Sequence, residues 1–86
     1  MTSGRPSVVD GLDVNEVADG LIVYDETTDR VHYLNATAAI VFTLCDGERD
    51  VDGIARAVAA AYGAGEPLLA EVEDCLAQLT KEGLLR

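Results

Sequence analysis

The sequence predicts an α+β fold in which a three-stranded antiparallel meander precedes three α-helices. The dipeptide Asp19-Gly20 is a strong turn signal between two runs of β-prone residues. The four residues from Glu26 to Asp29 reverse the chain again, before a third short run that ends at Leu34. From Ala36 onward, apolar residues recur at three- and four-residue spacing, which is typical of amphipathic helices. The chain of 86 residues has the size of one small domain.

The two turns set the register of the predicted sheet. The first turn places Val17 opposite Ile22. The second turn places Asp25 opposite Arg30, and opposite charges facing each other across two strands are mildly favourable. We therefore expect the middle strand to pair with both of its neighbours in sequence, which leaves the first and third strands at the edges.

Side chains of the predicted strands alternate between two faces of the sheet. One face contains only apolar and tyrosine side chains: Val17, Ile22, Tyr24, Val31 and Tyr33. The other face mixes apolar with charged side chains: Glu16, Ala18, Leu21, Val23, Asp25, Arg30, His32 and Leu34. Neither face is fully polar, so the pattern leaves open which one covers the helices. An apolar face left uncovered would indicate a contact surface.

Capping residues delimit the first two predicted helices. Asn35 follows the third strand directly, and its side chain can accept a hydrogen bond from the first turn of a helix. That helix is expected to extend to Asp46, where Gly47 stops it. The second helix is expected to begin after Asp50 and to end at Gly63.

The third predicted helix has the most regular amphipathic pattern in the chain. Its apolar stripe is Leu69, Val72, Leu76 and Leu79. It is expected to begin at Glu66-Pro67 and to end at Glu82, where Gly83 closes it. Together with the second helix and the short connection between them, it resembles a helix-turn-helix pair.

The charge of the chain argues against nucleic-acid binding. Six Lys and Arg face sixteen Asp and Glu, for a net charge of −10, whereas binding to phosphates draws affinity from Lys and Arg. The outward positions of the third helix are also mostly acidic: Glu71, Glu73, Asp74, Gln78, Lys81 and Glu82. A basic peptide or a protein with a basic patch would be attracted instead.

No arrangement of residues predicts catalysis, a cofactor or a metal. His32 is the only histidine, so no Cys–His or Ser–His–Asp set can form. Cys45 and Cys75 have no metal-ligand spacing, and the expected role of both is that of small buried apolar side chains. The acidic cluster from Asp46 to Asp52 lacks the downstream glutamate of a calcium-binding loop. We expect a protein that is not an enzyme.

The sequence shows neither a signal peptide nor a membrane-spanning segment. Residues 1–11 are expected to form a flexible N-terminal tail, and residues 12–86 to form the domain. No apolar run approaches the roughly 20 residues that span a bilayer, and the N-terminus has no apolar core of a signal peptide. These features predict a cytoplasmic protein.

A helix is predicted directly after the third strand, so no later strand is predicted to pair with the outer edge of the third strand. The backbone of Val31–Leu34 can therefore be covered by another part of the chain, or it can accept a strand from another molecule.

Several segments resemble the PqqD-like family of RiPP recognition elements, over roughly Leu12 to Leu85. They are Leu34-Asn35 with the alanine-rich helix, then Leu44-Cys45-Asp46-Gly47, then the closing pattern V-x-x-x-L-x-x-L-x-x-x-G-L that starts at Val72. The resemblance implies a winged-helix-like fold. It also implies a peptide chaperone that binds the leader segment of a ribosomally made precursor peptide. The partner would be a modifying enzyme, often a radical SAM protein.

Carried onto this chain, the resemblance places the leader along the third strand and against the third helix. The strand would contribute Val31, His32, Tyr33 and Leu34. Helical geometry, rather than a motif, adds residues of the third helix: Glu71, Asp74, Cys75, Gln78 and Leu79. The chain departs from its relatives at Cys75, where a Phe is common, and in the second helix. Its hairpin over Asp25–Asp29 resembles the broader relatives more than PqqD itself, so the biosynthetic pathway stays open. The alternative is a non-catalytic protein-interaction or regulatory module that binds no peptide.

Overall fold

The computed structural model describes residues 5–65 and 68–85 and confirms the α+β fold. Its elements follow the predicted order: β1 Leu12–Val17, β2 Gly20–Asp25, β3 Arg30–Asn35, α1 Ala36–Leu44, α2 Val51–Tyr62 and α3 Leu69–Lys81. The three strands form one antiparallel sheet in the order β1-β2-β3. The described residues contain no helix that is long and apolar enough to cross a membrane.

The predicted register is confirmed between β2 and β3, where Asp25 pairs with Arg30. Between β1 and β2 the prediction was wrong, because Val17 pairs with Gly20 rather than with Ile22. The turn is therefore Ala18-Asp19, and Gly20 is the first residue of β2. A Cβ atom on Gly20 would lie 1.8 Å from the carbonyl oxygen of Leu34. This glycine allows β3 to approach closely instead of forming the turn.

The mixed face of the sheet is the one that covers the helices. Val23 is fully buried there, and Leu34 is 4% exposed. Each β1 residue pairs with a β2 residue two positions away from the predicted partner. Because two is the period of a strand, the same side chains still share each face of the sheet. The apolar face stays largely uncovered, with Val31 65% exposed and Tyr33 53% exposed.

Three predicted helix-terminal residues act as expected. The Asn35 side chain accepts a hydrogen bond from the Ala38 N–H (2.9 Å), and the Asp50 side chain accepts one from the Gly53 N–H (2.8 Å). Gly63 ends α2 with a φ of 69°, in the left-handed region that favours glycine. One boundary differs, because α1 ends at Leu44 and not at Asp46.

The end of α3 folds back onto the core. Gly83 has a φ of 79°, and the N–H of Leu84 donates to the carbonyl of Leu79 (3.0 Å). This turn buries Leu84 completely. The helix itself ends at Lys81, one residue before the predicted end. Its predicted start at Glu66-Pro67 lies outside the described residues.

All three helices supply side chains to one core against the inner face of the sheet. The buried apolar residues are Val23, Leu34, Val41, Phe42, Cys45, Ile54, Ala55, Val58, Val72, Leu76, Leu79, Leu84 and Leu85. Aliphatic side chains dominate, with Phe42 as the one aromatic member of this cluster among the described residues. The core therefore holds β3 and α3 in fixed positions on either side of α1.

Part of the expected N-terminal tail lies against the domain. The N–H of Gly47 donates to the carbonyl of Pro6 (2.9 Å), and the N–H of Val9 donates to the carbonyl of Leu84 (3.0 Å). Val8, which is partly buried, packs against the core and bridges to Leu85. Apolar contact and these backbone hydrogen bonds hold this segment against the residues after α1 and against Leu84 and Leu85.

Candidate functional site

A groove lies between the end of β3, the first turn of α1 and the outer side of α3. Its volume is about 500 Å³, and we call it the β3–α3 groove. It is lined by Tyr33, Leu34, Asn35, Thr37, Ala38, Glu71, Asp74, Cys75, Gln78, Leu79 and Glu82. The groove exists because Asn35 ends the strand and caps the helix at once, which turns the chain away from the edge of β3.

The open edge of β3 presents the backbone groups of Val31 and Tyr33. Residues that flank a two-residue hairpin turn form a hydrogen-bonded pair, and such pairs alternate with non-bonded pairs along the ladder. Val17 and Gly20 flank the Ala18-Asp19 turn, so Gly20 and every second residue after it bond to β1. The residues between them bond to β3, at Arg30, His32 and Leu34. The N–H and C=O groups of Val31 and Tyr33 therefore point away from β2.

Neither another strand nor α3 covers this edge among the residues that the structure describes. Within residues 5–65 and 68–85, β3 pairs with β2 and with no other strand. No Cα atom of α3 lies within 8 Å of a Cα atom of β3. α3 therefore does not cover the edge of β3, and this edge is open to an added strand.

The β3–α3 groove combines an apolar floor with acidic walls. Leu34 and Leu79 are 4% and 1% exposed and form the floor with Ala38 and Cys75. The charged side chains of the lining are all carboxylates: Glu71, Asp74 and Glu82. Burial, and then the charge of Asp74, raise the pKa of the Cys75 thiol. The surface suits an occupant with apolar and cationic side chains.

One end of the groove is held together by a small polar network. His32 Nδ1 lies 2.9 Å from Glu82 Oε1, and the Gln78 amide donates to Glu82 Oε2 (2.6 Å). The His32 side chain is 9% exposed, and its Nε2 is buried without a hydrogen-bond partner among the described residues. Since His32 belongs to β3 and Glu82 follows α3, this contact fixes the separation of the groove's two walls.

The structure brings most of the predicted binding residues to this groove. Seven of the nine line it: Tyr33, Leu34, Glu71, Asp74, Cys75, Gln78 and Leu79. Val31 and His32 do not. Val31 presents its side chain on the uncovered face, and His32 lies beneath the strand against Glu82.

Tyr33 occupies the groove's rim in a way that alternation alone did not indicate. Its hydroxyl donates to the carbonyl of Asp19 (3.3 Å), on the uncovered face of the sheet. Loss of solvation and this hydrogen bond raise the pKa of the Tyr33 hydroxyl. The ring is therefore available to an occupant from the outer side of the sheet rather than from the floor of the groove.

Four lining residues were missed by the sequence analysis: Asn35, Thr37, Ala38 and Glu82. The signal for the first three was the cap at Asn35, because a helix that begins directly after an edge strand places its first turn beside that edge. Glu82 lies one turn after Gln78, so helical spacing pointed to it.

The two cysteines differ in their surroundings. Cys45 is 3% exposed, its thiol donates to the carbonyl of Val41 (3.1 Å), and burial raises its pKa to about 11. Cys75 is half-buried and lines the groove. Both thiols are free. No group of three His, Cys, Asp or Glu side chains in the part of the chain that the structure describes could hold a metal ion.

Comparison with solved structures shows the same fold in a chain of low sequence identity. The structure titled "TbiB1 in Complex with the TbiA(beta) Leader Peptide" matches with a TM-score of 0.78 and 20% identity. The match covers 93% of this chain and 94% of that chain. A search of curated proteins gives no match.

A family model confirms the resemblance that the sequence motifs indicated. The model described as coenzyme PQQ synthesis protein D (PqqD) matches residues 20–85, which is most of the chain. The match contains β2, β3 and all three helices, and therefore both walls of the groove. The chain belongs to the PqqD family.

Proposed function

We propose that the protein is a peptide chaperone that binds the leader segment of a ribosomally synthesised precursor peptide. The leader adds a fourth strand to β3 and lies in the β3–α3 groove. The attached part of the precursor is then presented to a modifying enzyme, such as a radical SAM protein, and the chaperone itself performs no chemistry. Family membership supports this role, and the structural neighbour was solved with a leader peptide of its own.

The observation that carries the proposal is an unpaired strand edge that lies directly beside a groove. Strand addition draws affinity from main-chain hydrogen bonds and specificity from pockets for alternate side chains. The free groups of Val31 and Tyr33 supply the first, and the apolar floor at Leu34 and Leu79 supplies the second.

The other open edge of the sheet, at β1, lies beside a smaller groove of about 350 Å³ between the end of β1, the Ala18-Asp19 turn and α1. β1 is exposed along nearly its whole length, from Asp13 to Val17. No Cα atom of a helix lies within 8 Å of a Cα atom in β1. A strand added to β1 would meet this smaller groove only beside Glu16 and Val17, whereas the β3–α3 groove is larger, at about 500 Å³, and has an apolar floor with acidic walls, so β3 is the favoured edge.

A second role, docking of a protein without a peptide, is supported by the uncovered face of the sheet. Val17, Val31 and Tyr33 are 37%, 65% and 53% exposed there. An apolar surface of this kind marks contact sites. Docking of a modifying enzyme on this face is also compatible with leader binding, because a leader on β3 would lie beside the face and would leave it accessible.

Titration with leader peptides tests the proposal. Synthetic, fluorescently labelled leader peptides are made from the short open reading frames found on sequencing the region around the gene, and their anisotropy is followed as protein is added. We expect saturable binding with a Kd on the order of 1 μM, which corresponds to about 8 kcal/mol. The absence of binding by every neighbouring leader would contradict the proposal.

A further inference from the structure

Resting on the proposed function, we infer the chemistry of the segment that fills the β3–α3 groove. It carries a Lys or Arg whose side chain lies between Glu71 and Asp74. An apolar side chain two residues away lies over the part of the floor at Cys75 and Leu79. The groove thus selects an extended segment of the pattern basic–x–apolar, in either chain direction.

The carboxylates of Glu71 and Asp74 lie on one side of α3, and no cation pairs with them in residues 5–65 and 68–85. They are three residues apart, so they are neighbours on the helix surface and repel each other mildly. Both are exposed, and neither has an ion-pair or hydrogen-bond partner among the described residues. A cation from another molecule placed between them would relieve this repulsion.

The basic residues that the structure describes are all elsewhere. None of them lines the groove. Arg49 pairs with Asp46, and Arg56 pairs with Asp52, while Arg30 lies at the far end of β3 beside the loop. The groove therefore attracts cationic side chains, in agreement with the net charge of −10 for the whole chain.

Glu82 is distinguished from the other two carboxylates by its partners. One of its oxygens contacts His32, and the other accepts from Gln78. Its role is structural, at the end of the groove where it contacts His32 and Gln78. The basic residue of the occupant is therefore placed at the opposite end, near the start of α3.

The distance between the two carboxylates and the apolar floor matches the distance between alternate side chains of an extended peptide. The midpoint of Glu71 and Asp74 lies about 7 Å along α3 from the midpoint of Cys75 and Leu79, at the helical rise per residue. Side chains two residues apart on one side of a strand are also separated by about 7 Å. The residue between them faces the other side, next to the uncovered Val31 and Tyr33.

Selection from a peptide library tests this inference. Random peptides of about 12 residues, long enough to run along the six residues of β3, are displayed on phage and selected on the full-length protein. Peptides that also bind a Cys75→Trp variant, whose groove is filled, are discarded. We expect the remaining sequences to carry a Lys or Arg two positions from a Leu, Ile, Val, Phe or Tyr.

Replacing single carboxylates of α3 by lysine, and measuring the affinity for a selected peptide, tests the same inference. Glu71→Lys and Asp74→Lys are each expected to weaken a selected peptide by about fivefold or more. Glu73→Lys makes the same change of charge on an exposed part of α3 that does not line the groove, and it should leave the affinity within about twofold.

The outcomes separate the inference from the function on which it rests. Groove-binding peptides without the basic residue, or equal effects of the three lysine variants, would overturn the inference and leave peptide binding intact. Failure to select any groove-binding peptide would contradict the proposed function, and the inference would fall with it.

Discussion

Replacing Val31 by proline, Val31→Pro, is expected to weaken leader binding by about tenfold. The N–H of Val31 points to the open edge of β3, so proline removes a donor to the leader without removing one to β2. Proline is tolerated on edge strands for this reason. The leader loses one main-chain hydrogen bond and also meets the proline ring. Fluorescence anisotropy with a bound leader measures the change.

Val14→Pro is the matched control on the opposite edge of the sheet. Val14 is also an exposed valine whose N–H points outward, since its neighbours Asp13 and Asn15 bond to β2. We expect unchanged affinity for the leader and a similar melting temperature for both variants. If Val14→Pro weakened binding as much as Val31→Pro, the leader would not be paired with β3.

Filling the groove with Cys75→Trp is expected to reduce leader binding by about tenfold or more, which corresponds to about 1.4 kcal/mol. Cys75 is half-buried and forms part of the floor, so a larger side chain there occupies the space of the leader's apolar residue. The helix backbone is unaffected because position 75 faces the groove. Isothermal titration calorimetry measures the loss.

Ala77→Trp controls for the effect of a tryptophan on α3. Ala77 is exposed on the same helix and does not line the groove. Its replacement should leave the affinity unchanged and the circular dichroism spectrum helical. Full-strength binding by Cys75→Trp, in a protein with an unchanged spectrum, would place the leader outside the groove.

The local signals of this chain were sufficient for most of the fold. Asn35, Asp50 and Gly63 were recognised as helix-terminal residues because each acts through its own side chain or its own φ angle. The β2–β3 register followed from a four-residue loop and one charge pair. The β1–β2 register did not, because Gly20 is required by contact with the carbonyl of Leu34, which is distant in sequence.

The site was predictable where it follows helical periodicity and was missed where it depends on packing. Spacing along α3 identified Glu71, Asp74 and Gln78 as neighbours on one side of the helix. No periodicity indicated which sheet face meets the helices, since both contain apolar residues. That choice decides where the side chains of Tyr33 and Val31 lie, and it became visible only with the packed core.

Amide hydrogen exchange with and without a bound leader tests strand addition to β3 most directly. We expect the N–H groups of Val31 and Tyr33 to exchange freely in the unbound protein and to become protected when the leader binds. The outward N–H groups of β1, at Val14 and Glu16, should exchange at the same rate in both states. Protection confined to β1, or a bound leader that leaves Val31 and Tyr33 unprotected, would contradict the account.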